Sequence, residues 1–193
     1  MARLVTHFAT RPDETRHVRA LQRATGLTPR SLQTELARLM RLGILRREMD
    51  GRQVRYGLDE RNLRWRALRS LLREVADPAD VLREALSDVA GIEAAFLFGS
   101  YGRGTDIRES SDIDVFILHG DLAEDRFARR TMDAGVLLGR EVNVVTTNYD
   151  DLLVRLSEGS GFLRAVLGGP KVWVTGNENA IADAMAKAGA GGT

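Results

Sequence analysis

The sequence predicts an α+β protein of two domains, residues 1–76 and residues 77–193. Three observations carry this expectation. The charge is divided: residues 1–76 hold 17 arginines, no lysine and 8 acids, a net +9, whereas residues 77–193 hold 11 basic and 19 acidic residues, a net −8. The first part patterns as helix, turn, helix and a short basic hairpin. The second patterns as strand, Gly-Ser turn, short helix and a strand carrying Asp-x-Asp. Opposite charge on two differently patterned halves points to separate domains with different partners.

Composition bounds the rest. Hydrophobic residues make up 44% of the chain, enough for a packed core, and Cys is absent. That excludes disulfides, thiolate metal sites and Cys nucleophiles, and it fits a cytoplasmic protein. No apolar run reaches the roughly 18 residues of a membrane span, so no membrane partner is expected. The start Met1–Val5 soon meets His7, Arg11, Asp13 and Glu14 and has no small-residue cleavage site, so no signal peptide is expected. The basic half has two readings: a surface that neutralises nucleic-acid phosphates and releases their counterions, or a solvated Arg-rich surface.

In the first domain, His17–Thr25 carries Val18, Leu21 and Ala24 at helical spacing. Gly26-Leu27-Thr28 is a turn with a capping Thr28, and Pro29 suits the first helical position. From Pro29 to Leu42 the apolar residues Leu32, Leu36, Leu39, Met40 and Leu42 fall mostly on one face, and Gly43 stops the helix. The other face offers Arg30, Ser31, Gln33, Thr34 and Arg38, groups able to reach phosphates and base edges. Ile44–Arg47, a turn at Met49-Asp50-Gly51 and Arg52–Tyr56 read as a hairpin. This is a helix-turn-helix with a wing: the helix from Pro29 would enter the major groove, and Arg52 and Arg55 would follow the backbone or the minor groove. Glu60–Val75 is a further helix with Leu68, Leu71, Leu72 and Val75 as its apolar stripe, and Trp65 is read as packing.

The run TGLTPRSLQTELARLMRLGILRREMDGRQVRYGLD resembles ArsR-like winged-helix regulators over residues 3–75. The resemblance implies binding of double-stranded DNA, although winged helices also serve as protein-binding modules. It further implies a homodimer through the terminal helix; the alternative is that the stripe docks on the protein's own core. Metal-sensing relatives often use Cys, so a repressor of that kind is not expected.

The second domain opens with Asp77 as cap and Pro78 as first residue of a helix that buries Val81, Leu82, Ala85, Leu86 and Val89 and ends at Gly91. Ala94–Phe98 is a buried strand leading into Gly99-Ser100. Gly99 lets the backbone approach a ligand, Ser100 offers a hydroxyl and an N–H before a short helix, and Arg103 adds a cation beside a phosphate. Asp112 and Asp114 lie two apart on a strand and share a face. Paired carboxylates repel unless a cation lies between them, and oxygen ligands of this kind suit Mg²⁺ or Mn²⁺ bound to phosphate oxygens.

The order strand, Gly-Ser, short helix, D-x-D strand resembles the DNA polymerase β-like nucleotidyltransferase superfamily, its minimal members and antibiotic nucleotidyltransferases above all, over residues 78–176. The spacer Tyr101–Ser111 is one residue longer than the usual minimal pattern, which a loop insertion near Ile107–Ser110 would absorb. The resemblance implies a mixed sheet flanked by helices, a metal-bound nucleoside triphosphate, and a third carboxylate on a later strand that helps hold the metal and activate the attacking hydroxyl. The matching position here is Asn143, which has no charge and cannot act as a base. Glu141, two residues earlier, is a candidate to substitute from the same face, and Asp106 and Glu109 in the spacer are further candidates.

The remaining stretches are scaffold: helices at Leu122–Leu138 (core Phe127, Met132, Val136, Leu137), Tyr149–Leu156 and Gly161–Leu167, a last strand at Val172–Val174, and a frayed tail at 188–193. The histidines His7, His17 and His119 show no ligand spacing, and His119 is expected in a loop. Three functions stay open: a DNA-binding regulator whose nucleotidyltransferase domain transfers a nucleoside monophosphate to a protein or small-molecule hydroxyl; a regulator whose domain only senses the nucleotide; and an antitoxin-like interaction protein.

Overall fold

The structure, a computed structural model, describes residues 2–104 and 112–183. Asp106, Glu109 and the tail at 188–193 therefore lie outside the described residues. The chain divides into two compact units, Met1–Ala76 with Val136–Leu138, and Asp77–Gly135 with Gly139–Thr193.

The first unit runs α1 (Ala2–Ala9), β1 (Thr15–His17), α2 (Val18–Thr25), α3 (Pro29–Arg41), β2 (Leu45–Asp50), β3 (Gln53–Leu58) and α4 (Leu63–Val75). The α3 signals act as read: Thr28 accepts from the Ser31 N–H and Pro29 is at the first turn. At its end Gly43 takes φ +69°, donating to Met40 O while Ile44 donates to Leu39 O, which closes the helix and buries Ile44 beside it. The strands form an antiparallel sheet in the order β1-β3-β2. Neither α1 nor β1, which is only three residues long, is predicted by the sequence patterning. The hairpin turn also shifts: Met49 pairs with Val54 and Asp50 with Gln53, so the turn is Gly51-Arg52 and Arg52 leaves the strand. Register favours this two-residue loop, with Gly51 at φ +59°.

Helix α4 starts three residues later than expected, because the Asn62 side chain caps it by accepting from Arg64 N–H. Trp65 is buried, but Leu71 and Val75 are 54% and 68% exposed, so the stripe is not wholly covered by the chain's own core.

The second unit is a mixed α+β assembly: α5 (Pro78–Leu86), β4 (Ile92–Leu97), α6 (Gly99–Arg103), β5 (Ile113–His119), α7 (Glu124–Leu138), β6 (Val142–Thr147), α8 (Tyr149–Ser157), α9 (Gly161–Gly168) and β7 (Val172–Thr175). Residues 178–183 are also helical. The four strands lie in the order β6-β5-β4-β7, with β5 and β6 parallel and the other pairs antiparallel. Asp77 caps α5 through the Ala79 N–H, but the helix ends at Leu86, short of Gly91. The central strands β4 and β5 are buried through Ala94–Leu97 and Val115–Leu118, hence their continuous apolar runs. His119 is the last residue of β5 rather than part of a loop.

Helix α7 corrects the expected core. Arg130, Asp133, Ala134, Leu137 and Leu138 are buried, whereas Met132 and Val136 are exposed. The reason is a charged residue on the inner face: Arg130 reaches Asp88 with two hydrogen bonds, at 3.1 and 2.9 Å, which turns the opposite face outward. A paired, hydrogen-bonded arginine can be buried where an unpaired one cannot.

One face of the sheet is packed by α8 and α9: Ala94, Phe96, Phe116 and Leu118 meet Leu152, Leu163 and Val166, with Phe98 and Val145 at the margin. Side chains alternate along strands, so Asp114 and Asn143 continue this same face beyond its apolar part.

Candidate functional site

The acidic site forms where β4 ends and β5 begins. β4 delivers the chain into Gly99, whose φ of +65° turns it into α6. Phe98 N–H donates to the Asp114 carbonyl across 3.0 Å, which ties the turn to the D-x-D strand. Gly99 is needed for space as well as for its φ: a Cβ there would lie 2.5 Å from Asp114 Oδ2. The Asp114 carboxylate is thus packed directly against the Gly-Ser bend. Ser100 is the second residue of α6, and Arg103, exposed, is its last, followed by Gly104 at φ +62°.

Parallel pairing of β5 and β6 sets Asp114 opposite Asn143. The Asn143 side-chain amide donates to Asp112 Oδ2 at 3.3 Å. Asp112 itself stands just before β5 and is exposed, whereas Asp114 is half-buried. Glu141 lies one residue before β6, outside the strand; its carbonyl accepts from Ile113 N–H at 2.8 Å and its side chain is exposed. The structure therefore brings Gly99, Asp114, Asn143 and Asp112 together, with Glu141 at the border.

Among the described residues, no group of three or more His, Cys, Asp and Glu side chains gathers to hold a metal ion. The donor set is two carboxylates and one amide. It fits a single Mg²⁺ or Mn²⁺ that keeps water and phosphate oxygens as its other ligands. Among the described residues, no third acidic side chain joins Asp112 and Asp114 in such a group.

Sequence reasoning missed Arg140. Its guanidinium donates to the Tyr101 hydroxyl at 2.9 Å and lies 5.1 Å from the Tyr101 ring centroid. The contact fastens the approach to β6 onto α6, one residue from Ser100. The signal was present only as an Arg beside the third-acid position, 39 residues from its partner.

At the far end of the same sheet, burial first and then the Glu93 carboxylate, which also hydrogen-bonds it, push the Tyr149 phenol above its usual value. This pair is remote from the acids, since β4 begins beside Glu93 and ends beside Gly99.

The basic unit places Arg30, Ser31, Gln33, Thr34 and Arg38 on the exposed face of α3. Two of these are partly engaged: Thr34 donates to Arg30 O at 3.0 Å, and Ser31 Oγ accepts from the Thr28 hydroxyl at 2.9 Å. Arg52 is exposed in the hairpin turn. Arg55 is held within the unit, paired with Asp50 at 2.8 Å and donating to Thr15 O at 3.4 Å. An open pocket of about 440 Å³ beside the hairpin, lined by His17, Val18, Arg19, Gln53 and Val54, was not foreseen.

Residues 79–160 match the family model described as nucleotidyltransferase domain, which supports such a domain over that stretch. No curated protein matches the chain. Among the described residues, no helix is long and apolar enough to cross a membrane.

Proposed function

We propose that the chain is a DNA-binding regulator whose nucleotidyltransferase domain binds a nucleoside triphosphate with Mg²⁺ or Mn²⁺. The observation that carries the nucleotide part is the contact of Asp114 with Gly99, which sets a carboxylate against the bend where phosphates would lie. In this reading Ser100 and Arg103 hold phosphate oxygens, and Asp112 and Asp114 hold the divalent ion. When bound, that ion neutralises the triphosphate and favours departure of pyrophosphate. Asn143 supplies no base, so nucleotide binding that biases DNA binding is the principal reading; such coupling requires different nucleotide affinity in two states.

Monophosphate transfer to a protein or small-molecule hydroxyl is the second reading, favoured by the family match. Glu141 is then the carboxylate at hand for the acceptor. The DNA part rests on α2, the turn to α3, the exposed basic face of α3 and the hairpin, an order that suits an ArsR-like winged helix with α3 in the major groove. The exposed Leu71 and Val75 of α4 support a homodimer that would read two half-sites.

Calorimetric titration of ATP with Mg²⁺ tests the nucleotide reading. Binding by the wild type and its loss in Asp112→Asn/Asp114→Asn is expected; no binding by the wild type, or equal binding by both, overturns it. Salt-dependent duplex binding, lost in Arg30→Glu/Arg38→Glu, is expected of the DNA reading, and no duplex binding at low salt overturns that. Transfer is tested with labelled triphosphates, Mg²⁺ and lysate: equal labelling by the wild type and the double Asn variant removes the enzyme reading.

A further inference from the structure

Phe162 stands in the first turn of α9, 50% exposed although it is a large aromatic ring. It meets Phe98 edge to face, with centroids 6.2 Å apart and planes at 75°. Phe98 is the residue on which α6 begins, immediately before Gly99, and it packs at the margin of the α8–α9 face. By strand alternation Asp114 and Asn143 belong to that same face, and the Asn143 amide joins Asp112 to it. Phe98 thus links a half-exposed aromatic ring to the glycine bend and to Asp114, whose carbonyl accepts from its N–H, within a single unit. Val154 and Met132, also exposed, are aliphatic and offer no flat π surface.

A nucleotide held by its phosphates at the bend has its base a sugar's length away, in need of a flat apolar surface. Every base has a π face, so stacking on an aromatic side chain binds it with little regard to sequence or base identity. A ring already held by a neighbour loses less freedom on binding than a free one. We propose that Phe162 is the platform on which the base of the bound nucleoside triphosphate stacks, with Phe98 holding its ring in place. The inference rests on the nucleotide reading given above.

The test is calorimetry of the full chain with two probes, ATP–Mg²⁺ and inorganic tripolyphosphate–Mg²⁺, on the wild type, Phe162→Ala and Phe162→Trp. Expected is a loss of ATP affinity of about tenfold in Phe162→Ala, unchanged tripolyphosphate affinity, and ATP affinity restored in Phe162→Trp. Equal ATP affinity in the wild type and Phe162→Ala overturns the platform while leaving the nucleotide reading intact. So does an equal loss for both probes, which marks a structural role for the ring. A wild type that binds neither probe overturns the nucleotide reading and the platform with it.

Discussion

The side-chain amide of Asn143 donates a hydrogen bond to the Asp112 carboxylate across 3.3 Å, while its backbone pairs in register with Asp114 on the neighbouring strand. The residue that breaks the three-acid pattern is thus a neutral donor within the acid pair. It lowers their mutual repulsion where a third carboxylate would raise it. Asn143→Asp is expected to lower stability by about 1 kcal/mol without divalent ions, the scale of a typical net hydrogen bond. It is also expected to gain more melting temperature from Mg²⁺ than the wild type gains. Melting curves with and without Mg²⁺ check this, and an identical response of both proteins refutes it.

Gly99 and Gly51 give a paired experiment. Both have positive φ, +65° and +59°, but a Cβ at Gly99 meets Asp114 Oδ2 whereas nothing lies within 4 Å at Gly51. Gly51→Ala is expected to cost only the left-handed backbone penalty, about 1–2 kcal/mol. Gly99→Ala is expected to cost that and also displace the Asp114 carboxylate, lowering ATP–Mg²⁺ affinity about tenfold or more. Urea unfolding and calorimetry measure the two effects. Equal ATP binding by both variants counts against the site.

Arg140 joins Tyr101 by a hydrogen bond and by the face of its ring. Arg140→Ala is expected to destabilise the chain by about 1–2 kcal/mol, combining a charged hydrogen bond with a cation–π contact. Lysine keeps the charge but not the planar fork, so Arg140→Lys recovers only part of the loss. Denaturant midpoints decide, and a Lys variant as stable as the wild type rules out the proposed geometry.

Tyr149 titrates above the ordinary tyrosine value of about 10, because of burial first and then the Glu93 carboxylate. The folded state keeps its phenolic proton where the unfolded chain loses it. Its contribution to stability is therefore fully present below about pH 10 and is lost as pH rises through the folded value. Glu93→Gln is expected to lower the phenol's titration point partway toward the ordinary value, burial holding the rest. Ultraviolet difference titration reads this directly; an unmoved titration in Glu93→Gln removes the carboxylate as a cause.

Local signals were legible wherever the physics is local. Thr28 and Asp77 cap the helices they were expected to cap, Pro29 and Pro78 open them, and the apolar run at Ala94–Leu97 is a buried strand. Along α7, apolar character does not mark burial: Met132 and Val136 are exposed and Arg130 is buried. Its inward face is set by Arg130, whose partner Asp88 lies 42 residues earlier and leaves no trace in a local window. The hairpin turn was displaced for a related reason: only cross-strand pairing of Met49 with Val54 decides where the strands stop.

The sequence by itself determined the chemistry on offer: a Gly-Ser bend, two aspartates two residues apart, an asparagine in place of the third acid, and arginines concentrated in the first 76 residues. Only the tertiary structure decided who meets whom. Asp114 against Gly99, Asn143 on Asp112 and Phe162 beside Phe98 all depend on how separate strands and helices are brought into register. Residue type and spacing are properties of a short stretch of chain. Contact between stretches 15, 31 and 64 residues apart follows from strand pairing and core packing, which no short stretch encodes.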